Sequence, residues 1–271
     1  MKVNKFTRKV FSFAAFALLS LAFFATAVYA SHSWGGYHWA RTSDSFTLKL
    51  GDNVSSSWDS YLATASTDWS ASSILDTSIV AGGTRARQCR PTSGRVEVCN
   101  YSYGNNGWLG LAQIWVSGGH IAQGVAKMND TYFSTATYNT PAWRNFVVCQ
   151  EVAHTFGLDH QDVTFNNPNL GSCMDYTSDP DGPPSNEHPN AHDYEMLETI
   201  YAHLDNYTTV QSGSQKLPYG QSVAQGAKDG DFENRSEWGR SIRDNGYVAL
   251  FERDLGAGNK LFTFVIWAQE K

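Results

Sequence analysis

Apolar and polar positions alternate in blocks along this 271-residue chain, and each block predicts an element. Ser45–Leu50 alternates residue by residue, as a half-buried strand does. From Ser55 to Ser70, Trp58, Tyr61, Leu62, Ala65 and Trp69 recur at helical spacing, which predicts an amphipathic helix behind a serine cap. Strand-like runs follow at Thr77–Ala81, Arg95–Tyr103, Leu111–Val116 and Ile121–Met128, separated by Gly/Asn-rich breaks. Thr140-Pro141 then opens a helix with a capping hydroxyl and a proline at its first position. Trp143, Phe146, Val147, Val148, Val152 and Phe156 are distributed all round that helix, which predicts a buried one. Residues 166–189 read as loop, Ala191–Leu204 as a helix, and the stretch beyond Asp205 as a linker. Tyr247–Arg253 and Lys260–Trp267, around Gly256–Asn259, predict a β-hairpin too small to stand alone and so packed on the main domain. The order of elements predicts an α+β fold with a mixed sheet packed on helices.

Composition changes this picture at the N-terminus. Lys2, Lys5, Arg8 and Lys9 precede an apolar run from Val10 to Ala27, and Val28-Tyr29-Ala30 offers a small-x-small cleavage site. Residues 1–30 therefore read as a signal peptide, with a membrane anchor as the alternative. Cleavage leaves 16 basic against 26 acidic side chains, a net charge of −10. That balance argues against nucleic acid and anionic membranes as partners and suits a secreted, monomeric protein. Four cysteines in an exported chain read as two disulfides, and locality favours Cys89–Cys99 and Cys149–Cys173.

The candidate chemistry is concentrated in residues 149–162, Cys-Gln-Glu-Val-Ala-His-Thr-Phe-Gly-Leu-Asp-His-Gln-Asp. Gln150 and His154 are one helical turn apart and share a face. Gly157 can take a left-handed conformation that ends the helix and brings His160 back toward them. Polar groups on a buried helix cost free energy unless satisfied, and a metal ion would satisfy these. Glu151, His154, Gly157 and His160 fall at the spacing of H-E-x-x-H-x-x-G-x-x-H, and Cys173-Met174-Asp175-Tyr176 follows as a Met-turn would. On these residues the chain resembles the metzincin metallopeptidases, nearest in layout to matrixins, over roughly residues 37–205. Gln150 stands where the motif has its first histidine.

The resemblance implies a twisted mixed sheet over an active-site helix, with domain limits of 31–207 and a C-terminal hairpin extension at 208–271. It implies a zinc endopeptidase acting on a protein or peptide: zinc on His154, His160 and Gln150, and Glu151 as general base for a metal-activated water. By the same resemblance Tyr176 is a ligand or an oxyanion donor, Met174 an apolar floor under the metal, and Ile121–Met128 the edge strand that pairs with substrate. Asp162 is a candidate to orient His160, or else a loop cap. Gln150 has three readings: an amide-oxygen ligand, a water-binding neighbour of a two-histidine site, or the mark of a fold kept for binding. The last gives the rival function, an inactive module that binds peptide or glycan. His188 and His192 read as surface or capping residues, and His32, His38 and His120 carry no supported metal role. A short lead-in after residue 30 and the absence of a spare cysteine argue against a long pro-segment or a cysteine switch.

Overall fold

In the computed structural model the described residues are 32–33, 35–211 and 234–269. The expected signal peptide and most of the expected linker lie outside them. Every element described here falls within His32–Lys271.

In chain order the elements are β1 (His38–Trp39), β2 (Phe46–Asn53), α1 (Asp59–Trp69), β3 (Leu75–Ala81), β4 (Val96–Tyr101), β5 (Trp108–Ser117), β6 (His120–Asn129) and a single turn, α2 (Asp130–Phe133). They continue with α3 (Pro141–His154), α4 (Ala191–Ile200), β7 (Arg240–Asp244), β8 (Val248–Gly256) and β9 (Asn259–Trp267). All strands join one mixed sheet in the order β3-β2-β4-β6-β5-β9-β8-β7, with β1 beside the start of β6. The β3-to-β6 half is parallel, and everything from β5 onward is antiparallel. The fold is thus α+β with a large mixed sheet, as its element order predicts.

Helices α1 and α3 pack on one face of the sheet, where most of the apolar core lies, including Leu48, Ile114, Phe146, Val152 and Phe156. The other face carries two smaller clusters, one around Trp108, Trp238 and Phe251 and one around Trp115 and the Cys89–Cys99 disulfide. Two tryptophans bolt α3 into place: Trp69 Nε1 donates to Cys149 O (3.1 Å) and Trp39 Nε1 to Thr155 O (2.8 Å). Each fills a large apolar volume and satisfies a carbonyl at once.

Three expectations need correction. Helix α1 has no serine cap: Trp58 is the N-cap, and no side chain caps the helix there. Ser55 O first accepts Trp58 N in a turn, and the Ser55 and Ser57 hydroxyls bond each other (2.9 Å). Helix α4 stops at Ile200, four residues short of Leu204. The run Ile121–Met128 is not an edge strand, because β6 lies between β4 and β5 and pairs with both. The antiparallel strand beyond it, β5, is covered by β9 along Trp108–Val116. The C-terminal region is therefore three strands, not a lone hairpin, and it extends the main sheet.

Candidate functional site

Helix α3 begins as its sequence predicts, with Thr140 Oγ1 accepting from Trp143 N and Pro141 at the start. Its last turn and a half presents Gln150, Glu151 and His154, all fully or almost fully buried. Gly157 follows at φ +101°, and a Cβ there would sit 2.2 Å from Tyr37 O, so only glycine permits this turn. The returning chain is pinned by an antiparallel bridge between Ser33 and Leu158 and by Asp159 N donating to His32 O (2.5 Å). His160 then lies against His154, ring centroids 4.6 Å apart.

The ring nitrogens of both histidines have defined roles. His154 Nδ1 lies 2.8 Å from Leu158 O, a pure acceptor, so Nδ1 carries the proton and Nε2 keeps its lone pair. His160 Nδ1 lies 3.3 Å from Asp159 Oδ1 and 3.4 Å from Arg243 Nη2. That arginine nitrogen already donates to Asp159 Oδ1 at 2.5 Å, so His160 Nδ1 donates to the carboxylate and Nε2 is again bare. His160 Nε2 is buried with no hydrogen-bond partner. Burial, above all, lowers the pKa of both rings, His154 far more, and keeps both neutral. For Asp159, burial works to raise the carboxyl, but the hydrogen bonds from His160 and Arg243 and the charge of the arginine overcome it and hold it well below the usual range.

Gln150 Nε2 donates to Cys173 O (2.8 Å), which orients the amide and leaves Oε1 buried and unpartnered. Both Glu151 oxygens are likewise buried without a partner, and burial alone raises this carboxyl well above its ordinary value. The Glu151 side chain beds against β5 at Gly110, where a Cβ would come within 2.5 Å of Oε1. The Cys149–Cys173 disulfide joins the residue before Gln150 to the residue before Met174. Met174 is fully buried in the core, its amide held by Ser172 Oγ (2.9 Å) and its carbonyl by Gln161 N (2.6 Å). His154 and His160 thus meet ring to ring, and Gln150 on the same helix is tied through Cys173 O to the turn that carries Met174.

Tyr176 is used differently from the family expectation. Its hydroxyl donates to Trp267 O on β9 (3.4 Å), and its ring packs among Phe146, Phe165 and Tyr247. Asp162 is the loop cap, accepting from Thr164 N (2.8 Å) and Asn167 Nδ2. Asp159, not Asp162, orients His160.

The C-terminal strands close the site. Phe264 of β9 stacks on the His154 ring at 4.3 Å and 8°. Arg243 of β7 holds Asp159 through both of its terminal nitrogens, and Tyr247 stacks on Phe165 at 4.4 Å. Nothing local in the sequence announces these contacts, since Arg243 and Phe264 lie far down the chain and in no motif. A second group escaped the sequence reading. His38, His203 and Asp205 each offer an atom within 4.8 Å of the others, a set that could hold a metal ion.

Among the described residues no helix is long and apolar enough to cross a membrane. Both expected disulfides are present, and no cysteine is free. No protein-family model matches the chain. No curated protein matches it either.

Proposed function

We propose that this chain is an exported zinc-dependent peptidase of metzincin-like layout, held closed by its own C-terminal strands. One observation carries the reading: Gln150 Oε1, His160 Nε2 and both Glu151 oxygens are buried around one helix end without partners. Unpaired buried polar atoms each cost about 1–3 kcal/mol, so four at one place mark a site built for something else. The donor set suits zinc: two neutral imidazoles with Nδ1–H anchored to a carbonyl or carboxylate, and one oriented amide oxygen. Zinc bound there would supply a Lewis acid for the scissile carbonyl and for water.

Glu151 is the proton acceptor that this chain provides. It would take the proton of the attacking water and deliver it to the leaving amine. In the closed form burial favours its protonated state, so the base becomes competent only when the site opens and rehydrates. An extended peptide would pair with β5, the strand that β9 now covers from Trp108 to Val116. The same closure favours the rival reading, in which β7–β9 are permanent and the site never turns over.

The test uses the mature chain with its disulfides formed, wild type against His154→Ala. The peptidase reading expects one zinc equivalent lost in the variant, and peptide hydrolysis by a zinc-loaded Phe264→Ala chain in which the cover is loosened. Equal zinc content in both proteins would sink it. Zinc lost in the variant, with no hydrolysis by the zinc-loaded Phe264→Ala chain, would leave the binding module.

A further inference from the structure

The rim of the sheet holds a second histidine cluster that is independent of α3. The β1–β6 register sets His38 directly opposite His120, so their rings meet edge-to-face at 4.8 Å. The segment after α4 runs back along β1, with Asp205 N donating to Arg41 O (2.8 Å) and Thr209 N to Ala40 O (3.0 Å). This delivers His203 to the other side of His38, again with centroids 4.8 Å apart, and places the Asp205 carboxylate among three imidazoles.

The contact between His38 and Asp205 is not a hydrogen bond. His38 Nδ1 lies 2.8 Å from Gly36 O, so it carries the ring proton and Nε2 is a lone-pair acceptor. That Nε2 is buried, has no hydrogen-bond partner, and faces Asp205 Oδ2 at 3.5 Å. Oδ2 accepts from Arg41 N (3.0 Å), which fixes the carboxylate on this side. Two acceptors so placed repel unless a cation lies between them.

We propose that His38 Nε2, His203 Nε2 and Asp205 form a zinc site at this rim. Ligand atoms on a tetrahedral zinc stand roughly 3.4 Å apart at ordinary bond lengths. His38 Nε2 lies 3.5 Å from Asp205 Oδ2 and His203 Nε2 3.7 Å from Oδ1, so each imidazole faces one oxygen of the carboxylate at nearly that spacing. His203 is the member able to close the remaining distance, because its side chain is 60 % exposed. His120 positions the carboxylate from behind, its Nε2 3.0 Å from Asp205 Oδ1 and its Nδ1 2.7 Å from the Tyr207 hydroxyl. The bound ion would tie β1 to the chain beyond α4 and keep a solvent-facing coordination position. Mixed nitrogen and oxygen donors select zinc-class ions over calcium or magnesium.

The experiment titrates zinc into the metal-stripped mature chain against a chromophoric chelator, for wild type, His203→Ala, Asp205→Asn and His154→Ala. His203 is exposed, so its variant should fold as wild type does, which far-ultraviolet circular dichroism checks. The expected result is one equivalent weakened at least tenfold in His203→Ala and in Asp205→Asn, and unaffected in His154→Ala. An equivalent lost in His154→Ala alone, with both rim variants binding as wild type, would overturn the rim site and leave the α3 site standing. An equivalent lost in the rim variants alone would support the rim site and remove zinc from α3. Absence of zinc binding in all four proteins would overturn both.

Discussion

The two histidine clusters use the same local chemistry in opposite surroundings. At α3, Leu158 O and Asp159 hold the ring protons of His154 and His160, as Gly36 O holds that of His38 at the rim. Each arrangement leaves Nε2 as the unprotonated, lone-pair nitrogen of its ring. The α3 cluster lies under β9, with His154 1 % exposed, while the rim cluster includes a largely exposed His203. Ligand chemistry therefore decides what can bind, and the layer above decides how readily it exchanges. A sealed set of donors suits a protected reaction site, and an open one suits a structural or exchangeable ion.

The comparison can be sharpened by removing what only the sealed region possesses. The Cys149–Cys173 disulfide spans 24 residues and clamps α3 to the turn at Met174. Its removal by Cys149→Ala with Cys173→Ala should cost about 3 kcal/mol by loop-closure entropy. Urea unfolding would measure this, and the rim zinc affinity should be untouched. Equal weakening at both clusters would show that they are one cooperative unit.

Asp193 gives a pH test of nearly the same size. It is buried beneath the sealed region, where Ser172 Oγ donates to it (2.6 Å) and in turn accepts from Met174 N. Burial pushes its carboxyl up to about 6, and the neighbouring His32, lowered chiefly by burial to about 4, lies 3.6 Å away. Between those values the contact joins two neutral groups and is no ion pair. A carboxyl raised on folding contributes stability below its unfolded pKa, and that contribution is lost as pH rises through about 6. His32 runs the opposite way, gaining stability as pH rises, so wild type alone masks both. The stability of Asp193→Asn relative to wild type should grow by about 2 kcal/mol from pH 4 to 6.5. A pH-independent difference would mean that Asp193 is not desolvated as described.

The smallest expected effect is at the cover itself. Arg243 is 32 % exposed where it meets Asp159, so Arg243→Ala should cost under about 1 kcal/mol. Hydrogen exchange should nevertheless quicken along β7 and β8 while leaving β2 and β4 unchanged. A loss of several kcal/mol would instead make this contact a principal support of the fold.

The register of α3 was legible because Thr140, Pro141 and the spacing of His154, Gly157 and His160 are local signals. The disulfides were legible for a similar reason, since each closes a short loop. Asp162 was the candidate to orient His160, but Asp159 flanks that residue too, and only the backbone turn after Gly157 decides which one reaches its ring. The cover and the rim cluster were hidden for a deeper reason. Phe264 meets His154 and His120 meets His38 only through sheet register, and His203 reaches His38 only through the segment that returns along β1. No periodicity within a window carries that information.

The place of β9 in the sheet also sets a schedule for the growing polypeptide. Strand β5 emerges early, yet its partner on that side follows every other strand, Ala112 waiting for Phe264. Until then β5 offers an unpaired, apolar edge, the kind of surface that recruits other nascent chains. Folding of the N-terminal half is thus exposed to aggregation for as long as synthesis remains unfinished, and a frameshift or premature stop before Asn259 would make that exposure permanent.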